Sequence, residues 1–197
     1  MTFNETVFAP ATPAGGAIAI IRISGADTYG LLRKLFIPHG ANAAAAPEHR
    51  RIMYGGLYSL SGGLIDTCSA AFFKAPNSYT GEDMAELYTH GSAAVLRELF
   101  LQLSALGCRE AEPGEFTKRA FLNGKLDLTS AEAVMDMISA DTELARRAAA
   151  YQLGGGLKGR LDALYERLTS ASALIEATID YPEEKEDEAG LAGLCGE

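Results

Sequence analysis

Two stretches of this chain mix the residue types from which a polar site is built. One is Lys74-Ala75-Pro76-Asn77-Ser78-Tyr79-Thr80-Gly81-Glu82-Asp83. The other runs from Pro113-Gly114-Glu115-Phe116-Thr117-Lys118-Arg119 through Asn123-Gly124-Lys125 to Leu128. Both combine Asn, Ser or Thr, acids and bases with aromatics. Such groups can grip a ligand, and the same composition also makes turns and helix caps. Two charges stand out nearby. Arg22 is the only charge in the apolar run Ala17–Ser24, and Glu86 shares a face with Met84 and Tyr88 in the alternating segment Asp83–Thr89. The sequence holds no recognisable catalytic centre. Asn123-Gly124-Lys125 lacks the upstream Gly of a phosphate-binding loop and is followed by Leu126, and Gly15-Gly16 precedes a strand where a dinucleotide fingerprint would follow one. His39, His49 and His90 have no metal-ligand spacing, and no nucleophile elbow occurs.

The elements that must position these residues change character along the chain. Ala17–Ser24 is a short β-branched run between glycines and predicts a buried strand. Asp27–Phe36 predicts a helix with Leu31, Leu32 and Leu35 on one side, and 38–49 a loop. Arg51–Leu60 and Leu64–Phe73 flank Ser61-Gly62-Gly63 as a hairpin, Asp83–Thr89 is a strand, and Ser92–Leu106 an amphipathic helix. Beyond residue 118 the pattern is helical. Thr129-Ser130-Ala131-Glu132 fits a capping box. Leu157, Leu161, Leu164, Leu168, Ala171 and Ile175 form a heptad seam that calls for a partner helix. Gly154-Gly155-Gly156 before it costs a helix ~3 kcal/mol relative to alanine and predicts a break.

Composition sets the outer bounds. The 197 residues are 48% hydrophobic, which excludes intrinsic disorder, and no apolar run is long enough to span a bilayer. The first ten residues include Glu5 and no basic region, unlike a secretory signal. Cys68, Cys108 and Cys195 are odd in number and widely spaced, which suits a reducing cytoplasm without disulfides. The formal net charge is -9, but residues 180–197 hold seven acids and one base, leaving the body nearly neutral. Neither part has the basic excess of a self-sufficient nucleic-acid binder.

The two polar stretches, with Ala11-Thr12-Pro13, Ile20-Ile21-Arg22-Ile23-Ser24-Gly25, Glu86-Leu87, His90-Gly91 and Ile179-Asp180-Tyr181-Pro182-Glu183-Glu184, closely resemble the MnmE (TrmE) family of tRNA modification GTPases. The likeness runs from about residue 5 to residue 184. It implies an α+β fold: a β-rich, aminomethyltransferase-like tetrahydrofolate-binding domain at 1–118, a partial helical domain at 119–182 and an acidic tail at 183–197. It implies a 5-formyl-tetrahydrofolate-type one-carbon carrier as ligand, with the family's folate contacts falling on Arg22, Glu86 and Lys125. It also implies a homodimer through the first domain and work on the tRNA wobble uridine with the flavoprotein MnmG.

The match has gaps. The family's GTPase domain and the rest of its helical domain are not among these residues, so GTP hydrolysis by this chain alone is not expected. The loop after Thr12-Pro13 is one residue short. Leu194-Cys195-Gly196-Glu197 departs from the family's cysteine-bearing tail, so Cys195 reads as incidental. The competing expectation is a dimerisation or docking module without ligand. An independent aminomethyltransferase is disfavoured by the missing acid, base and nucleophile. Residues beyond about 150, with an uncovered seam, are expected to be mobile or packed against another copy.

Overall fold

In β2 (Ile18–Ser24) the odd residues Ala19, Ile21 and Ile23 are buried, while Ile18 is exposed and Arg22 half-buried. The computed structural model that shows this describes residues 5–13, 15–40 and 49–180. The acidic tail, Cys195 and most of the 38–49 loop lie outside the described residues. β2 pairs antiparallel with β1 (Val7–Pro10) on one side and β6 (Met84–His90) on the other. β3 (Phe36–Pro38), β4 (Ile52–Tyr58), β5 (Leu64–Phe73) and β7 (Arg109–Glu110) complete a seven-stranded sheet in the order β3-β4-β5-β6-β2-β1-β7. Among its strand pairings only the short β1–β7 one is parallel.

One sheet face is closed by α1 (Thr28–Leu35) and α2 (Ala93–Ala105). Leu31, Leu32 and Leu35 from α1 and Leu96, Leu99 and Leu103 from α2 pack with Phe8, Ile21, Ile23, Phe72, Ala85 and Leu87 in one core. Each fully buried large apolar side chain contributes roughly 1.5–3 kcal/mol. This core fixes the register of β2 against β6, because a one-residue slip would turn Ile21 and Ile23 to the other face. The opposite face carries Arg22, Glu86 and Tyr88 and leaves Ile18, Ile52 and Tyr54 exposed. The expected hairpin at 59–63 and the helices at 27–36 and 92–106 are present. β1, β3 and β7 are additional to the sequence expectation, being too short to show periodicity.

The chain divides into two compact units, residues 1–126 and 127–197. α3 (Glu115–Leu122) lies in the first unit and is tied to it by the buried Arg119–Glu82 ion pair. In the second unit α4 (Leu128–Ile138) and α5 (Glu143–Leu153) bury Ala133 and Ala149. The N-cap of α4 is Asp127, whose carboxylate accepts from Ser130 N at 2.8 Å, in place of the expected Thr129 box. The carboxylate also accepts the Thr129 hydroxyl at 2.7 Å, so Thr129 orients the cap. A break falls at the glycines: Gly155 has φ +80, where a side chain would be strained, and α6 (Gly156–Asp180) starts after it.

No residue of α6 is buried, and its seam residues Leu161, Leu164, Leu168 and Ile175 are all exposed. Helical hydrogen bonds without apolar cover open easily. By hydrogen exchange, amides of residues 161–180 should exchange well before those of β2 and β6. Equal protection in a monomeric sample would contradict this.

Candidate functional site

Arg22 on β2 and Glu86 on β6 are direct cross-strand partners. Glu86 Oε1 accepts from Arg22 Nε at 3.0 Å and Nη2 at 2.8 Å, and Glu86 Oε2 accepts the Tyr88 hydroxyl at 2.8 Å. The Arg22 guanidinium lies 5.1 Å from the Tyr79 ring centroid and 5.5 Å from that of Phe116. Such contacts contribute roughly 0.5–2 kcal/mol each. A guanidinium has five N–H donors, and Arg22 spends two on Glu86. The other three have no acceptor among the described residues. Burial, reinforced by the Glu86 hydrogen bond and charge, pushes the Tyr88 hydroxyl up to about 12, so it stays a donor. The result is a half-buried cation and anion between aromatic rings, able to read the donor–acceptor edge of a flat heterocycle.

Lys125 reaches the same region of the chain by another route. It follows α3, and its backbone N–H closes the turn onto Ala120 O at 2.8 Å. Its side-chain stem runs over Gly81, where an added Cβ would stand 3.2 Å from Lys125 Cγ and 3.0 Å from Asn123 Cβ. Gly81 also has φ +79, so glycine lets the two polar stretches approach. Asn123 Nδ2 donates to Thr80 O at 2.7 Å across the same junction. The structure thus brings Arg22 and Glu86 together, while Lys125 stands apart from their ion pair.

Behind the pair sits a buried charge cluster. Arg119 is fully buried, donating to Glu82 Oε2 at 3.0 Å, to Glu115 Oε1 at 2.9 Å and to Glu5 O at 3.1 Å. Arg109 adds a two-pronged contact to Glu115, at 2.7 and 3.1 Å. Ser24 donates to Glu82 Oε2 at 2.8 Å and shares a 2.7 Å bond with Thr80. Tyr79 is therefore held from two sides: by the Ser24–Thr80–Glu82 cluster next to it in the loop, and by a 2.9 Å bond from its hydroxyl to Thr117 on α3. That second bond also ties the loop to the helix that carries Phe116.

Further along the face of β6, His90 Nδ1 lies 2.7 Å from Asp66 Oδ1, and His90 N donates to Asp66 Oδ2 at 2.9 Å. Among the described residues no group of three or more His, Cys, Asp or Glu is placed to hold a metal ion. Nor is any helix there long and apolar enough to cross a membrane.

Comparison with known proteins gives this geometry its family. The model of the GTP-binding protein TrmE N-terminus matches residues 6–125, and that of the MnmE helical domain matches 128–194. The chain belongs to the MnmE (TrmE) family. It is 47% identical over 183 residues to the tRNA modification GTPase MnmE of Phenylobacterium zucineum, covering 92% of this chain and 40% of that protein. To MnmE of Symbiobacterium thermophilum it is 42% identical over 202 residues, covering 98% and 44%. For Thermotoga maritima MnmE the identity is 43% over 187 residues, covering 94% and 40%. The chain spans about two fifths of the length of the MnmE relatives it matches.

Within this MnmE-family domain, Tyr79, Phe116 and the Arg119 cluster carry structural roles that sequence reasoning does not assign. For Tyr79, Glu82, Glu115, Phe116 and Arg119 the only signal is membership of the two polar stretches. Burial would raise the Glu115 carboxyl. The hydrogen bonds from Arg109, Glu112 N and Arg119 prevail and hold it at about 2. A lowered folded pKa gives stability that is present above the unfolded value of about 4.3 and is lost as pH falls toward 2. Urea unfolding should show stability falling across that window, and Glu115→Gln should flatten the fall. Separately, Arg119→Met leaves the Glu82 carboxylate without its cation, while Glu115 keeps Arg109, and should cost ~3–5 kcal/mol in the same assay.

Proposed function

We propose that the first unit binds a reduced folate of the 5-formyl-tetrahydrofolate type. Glu86 accepts hydrogen bonds from the amino and ring N–H groups of the pterin, and Arg22 donates its spare N–H groups to carbonyl oxygens. Tyr79 and Phe116 supply ring surface, and Lys125 offers a cation that can swing over Gly81 to the ligand's anionic part. The observation that carries this reading is the Arg22 guanidinium. It is half-buried between two rings, paired with a carboxylate, and has three donors unspent among the described residues.

The whole-protein setting follows from the relatives' name and from the resemblance. We place the chain in tRNA wobble-uridine modification, as a homodimer built through its first domain and working in the cytoplasm with an MnmG-type flavoprotein. tRNA is met only in that complex, because the body of this chain is nearly neutral. The 197 residues contain no phosphate-binding loop sequence, so these residues alone should not hydrolyse GTP. A second reading, a dimerisation or docking module without ligand, draws on the exposed Ile18, Ile52 and Tyr54 of the open sheet face.

Isothermal titration separates the two. The folate reading expects saturable binding of 5-formyl-tetrahydrofolate, weakened at least about tenfold by Arg22→Ala or Glu86→Gln with the dimer intact. Silence in the titration of folded protein would remove the ligand and leave the docking module.

A further inference from the structure

The open face of β6 does not end at Glu86. Glu86, Tyr88 and His90 alternate along one side of the strand. The face runs into a cleft of about 420 Å³ lined by Ile18, Tyr54, Thr67, Ser69, Tyr88 and His90, among others. Tyr88 belongs to both places: its hydroxyl serves Glu86, and its side chain lines the cleft. From Glu86 to His90 the strand advances ~13 Å at the usual rise per residue.

The far end of this row is built differently from a surface histidine. The Asp66 side chain is only 9% exposed. Its two oxygens receive three hydrogen-bond contacts: from Thr67 N at 2.8 Å, His90 N at 2.9 Å and His90 Nδ1 at 2.7 Å. A carboxylate held this firmly fixes the ring of His90 through Nδ1. The ring itself is 69% exposed and His90 lines the cleft, so Nε2 is the ring nitrogen left for a ligand. Such a clamp serves no packing role, since the ring is largely in solvent. It fixes the ring and leaves one nitrogen without a partner among the described residues.

We propose that His90, held by Asp66, anchors the carboxylate-bearing end of the ligand whose ring is bound at Arg22 and Glu86. The inference rests on the reduced-folate reading of that site and extends it. A reduced folate is elongated, with a pterin at one end, an aminobenzoyl ring in the middle and glutamate carboxylates at the other end. With the pterin edge on Glu86, the middle ring lies along Tyr88 over the exposed Ile18 and Tyr54. The glutamate then arrives at His90, where the hydroxyls of Thr67 and Ser69 can bond its amide. Asp66 is the charged side chain in contact with the ring at Nδ1, which leaves Nε2 for the ligand.

The test uses two ligands on the full chain: 5-formyl-tetrahydrofolate, and 5-formyl-tetrahydropterin, which lacks the aminobenzoyl-glutamate. Wild type should bind the complete ligand about tenfold or more tightly than the tail-less one. His90→Gln and Asp66→Asn should remove that preference while leaving the tail-less ligand unaffected. Circular dichroism reports whether each variant is folded, and the largely exposed His90 makes its variant the safer of the two. The nitrogen NMR signals of the His90 ring should shift on addition of the complete ligand and stay in place with the tail-less one. Retention of the preference by folded His90→Gln, or its absence in wild type that still binds both ligands, overturns the anchor and leaves the ring site standing. Failure of wild type to bind either ligand overturns the ring site and the anchor with it.

Discussion

A fully buried guanidinium must be paired on all sides or the region that holds it does not form. Arg119 meets this condition by drawing Glu82 from the 74–83 loop, Glu115 from its own helix and the Glu5 carbonyl from the segment leading into β1. Three separate pieces of the first unit are thereby fixed to one side chain. Removing a charge from water costs several kcal/mol per ion, so the cluster lasts only while all its members are present. Its value is specificity of position more than net stability. The Ser24–Thr80–Glu82 bonds at its edge set where Tyr79 sits, and α3 sets where Phe116 sits. Those two rings flank Arg22.

The two faces of the sheet divide the work. One face is apolar and closed by α1 and α2, and its packing fixes the pairing of β2 with β6. That register puts Arg22 opposite Glu86 on the other face without further help. The open face can then carry polar and aromatic groups at strand spacing, from Arg22 and Glu86 through Tyr88 to His90. A rigid sheet under a polar row holds these groups more firmly than a loop would. Tyr79, from the 74–83 loop, covers one end of it at Arg22.

Much of this is legible in the sequence. The β-branched run Ile20-Ile21-Arg22-Ile23 marks a buried strand with one misplaced charge. Glu86 in an alternating segment is a second such misfit, and the glycine run at 154–156 marks the helix break. The family resemblance names Arg22, Glu86 and Lys125 as a set. What stays hidden depends on long-range contact. Arg119 is an ordinary helix surface residue by spacing, and only the approach of Glu82 and Glu5 from far along the chain explains its burial. The same is true of Asp66 and His90, whose side chains meet across β5 and β6. The cap of α4 lies two residues before the expected one, because Asp127 and Thr129 are both good cap residues and local sequence does not decide between them.

The central claim is that Arg22, with Glu86, receives a reduced folate on the open face. Its most direct test is the nitrogen NMR signal of the Arg22 side-chain Nε–H, assigned with Arg22→Lys, followed as 5-formyl-tetrahydrofolate is added to the full chain. A saturable shift of that signal is predicted, matched by the Tyr79 and Phe116 ring resonances. An Arg22 signal that stays in place while the folded protein is held at high ligand concentration would contradict the claim.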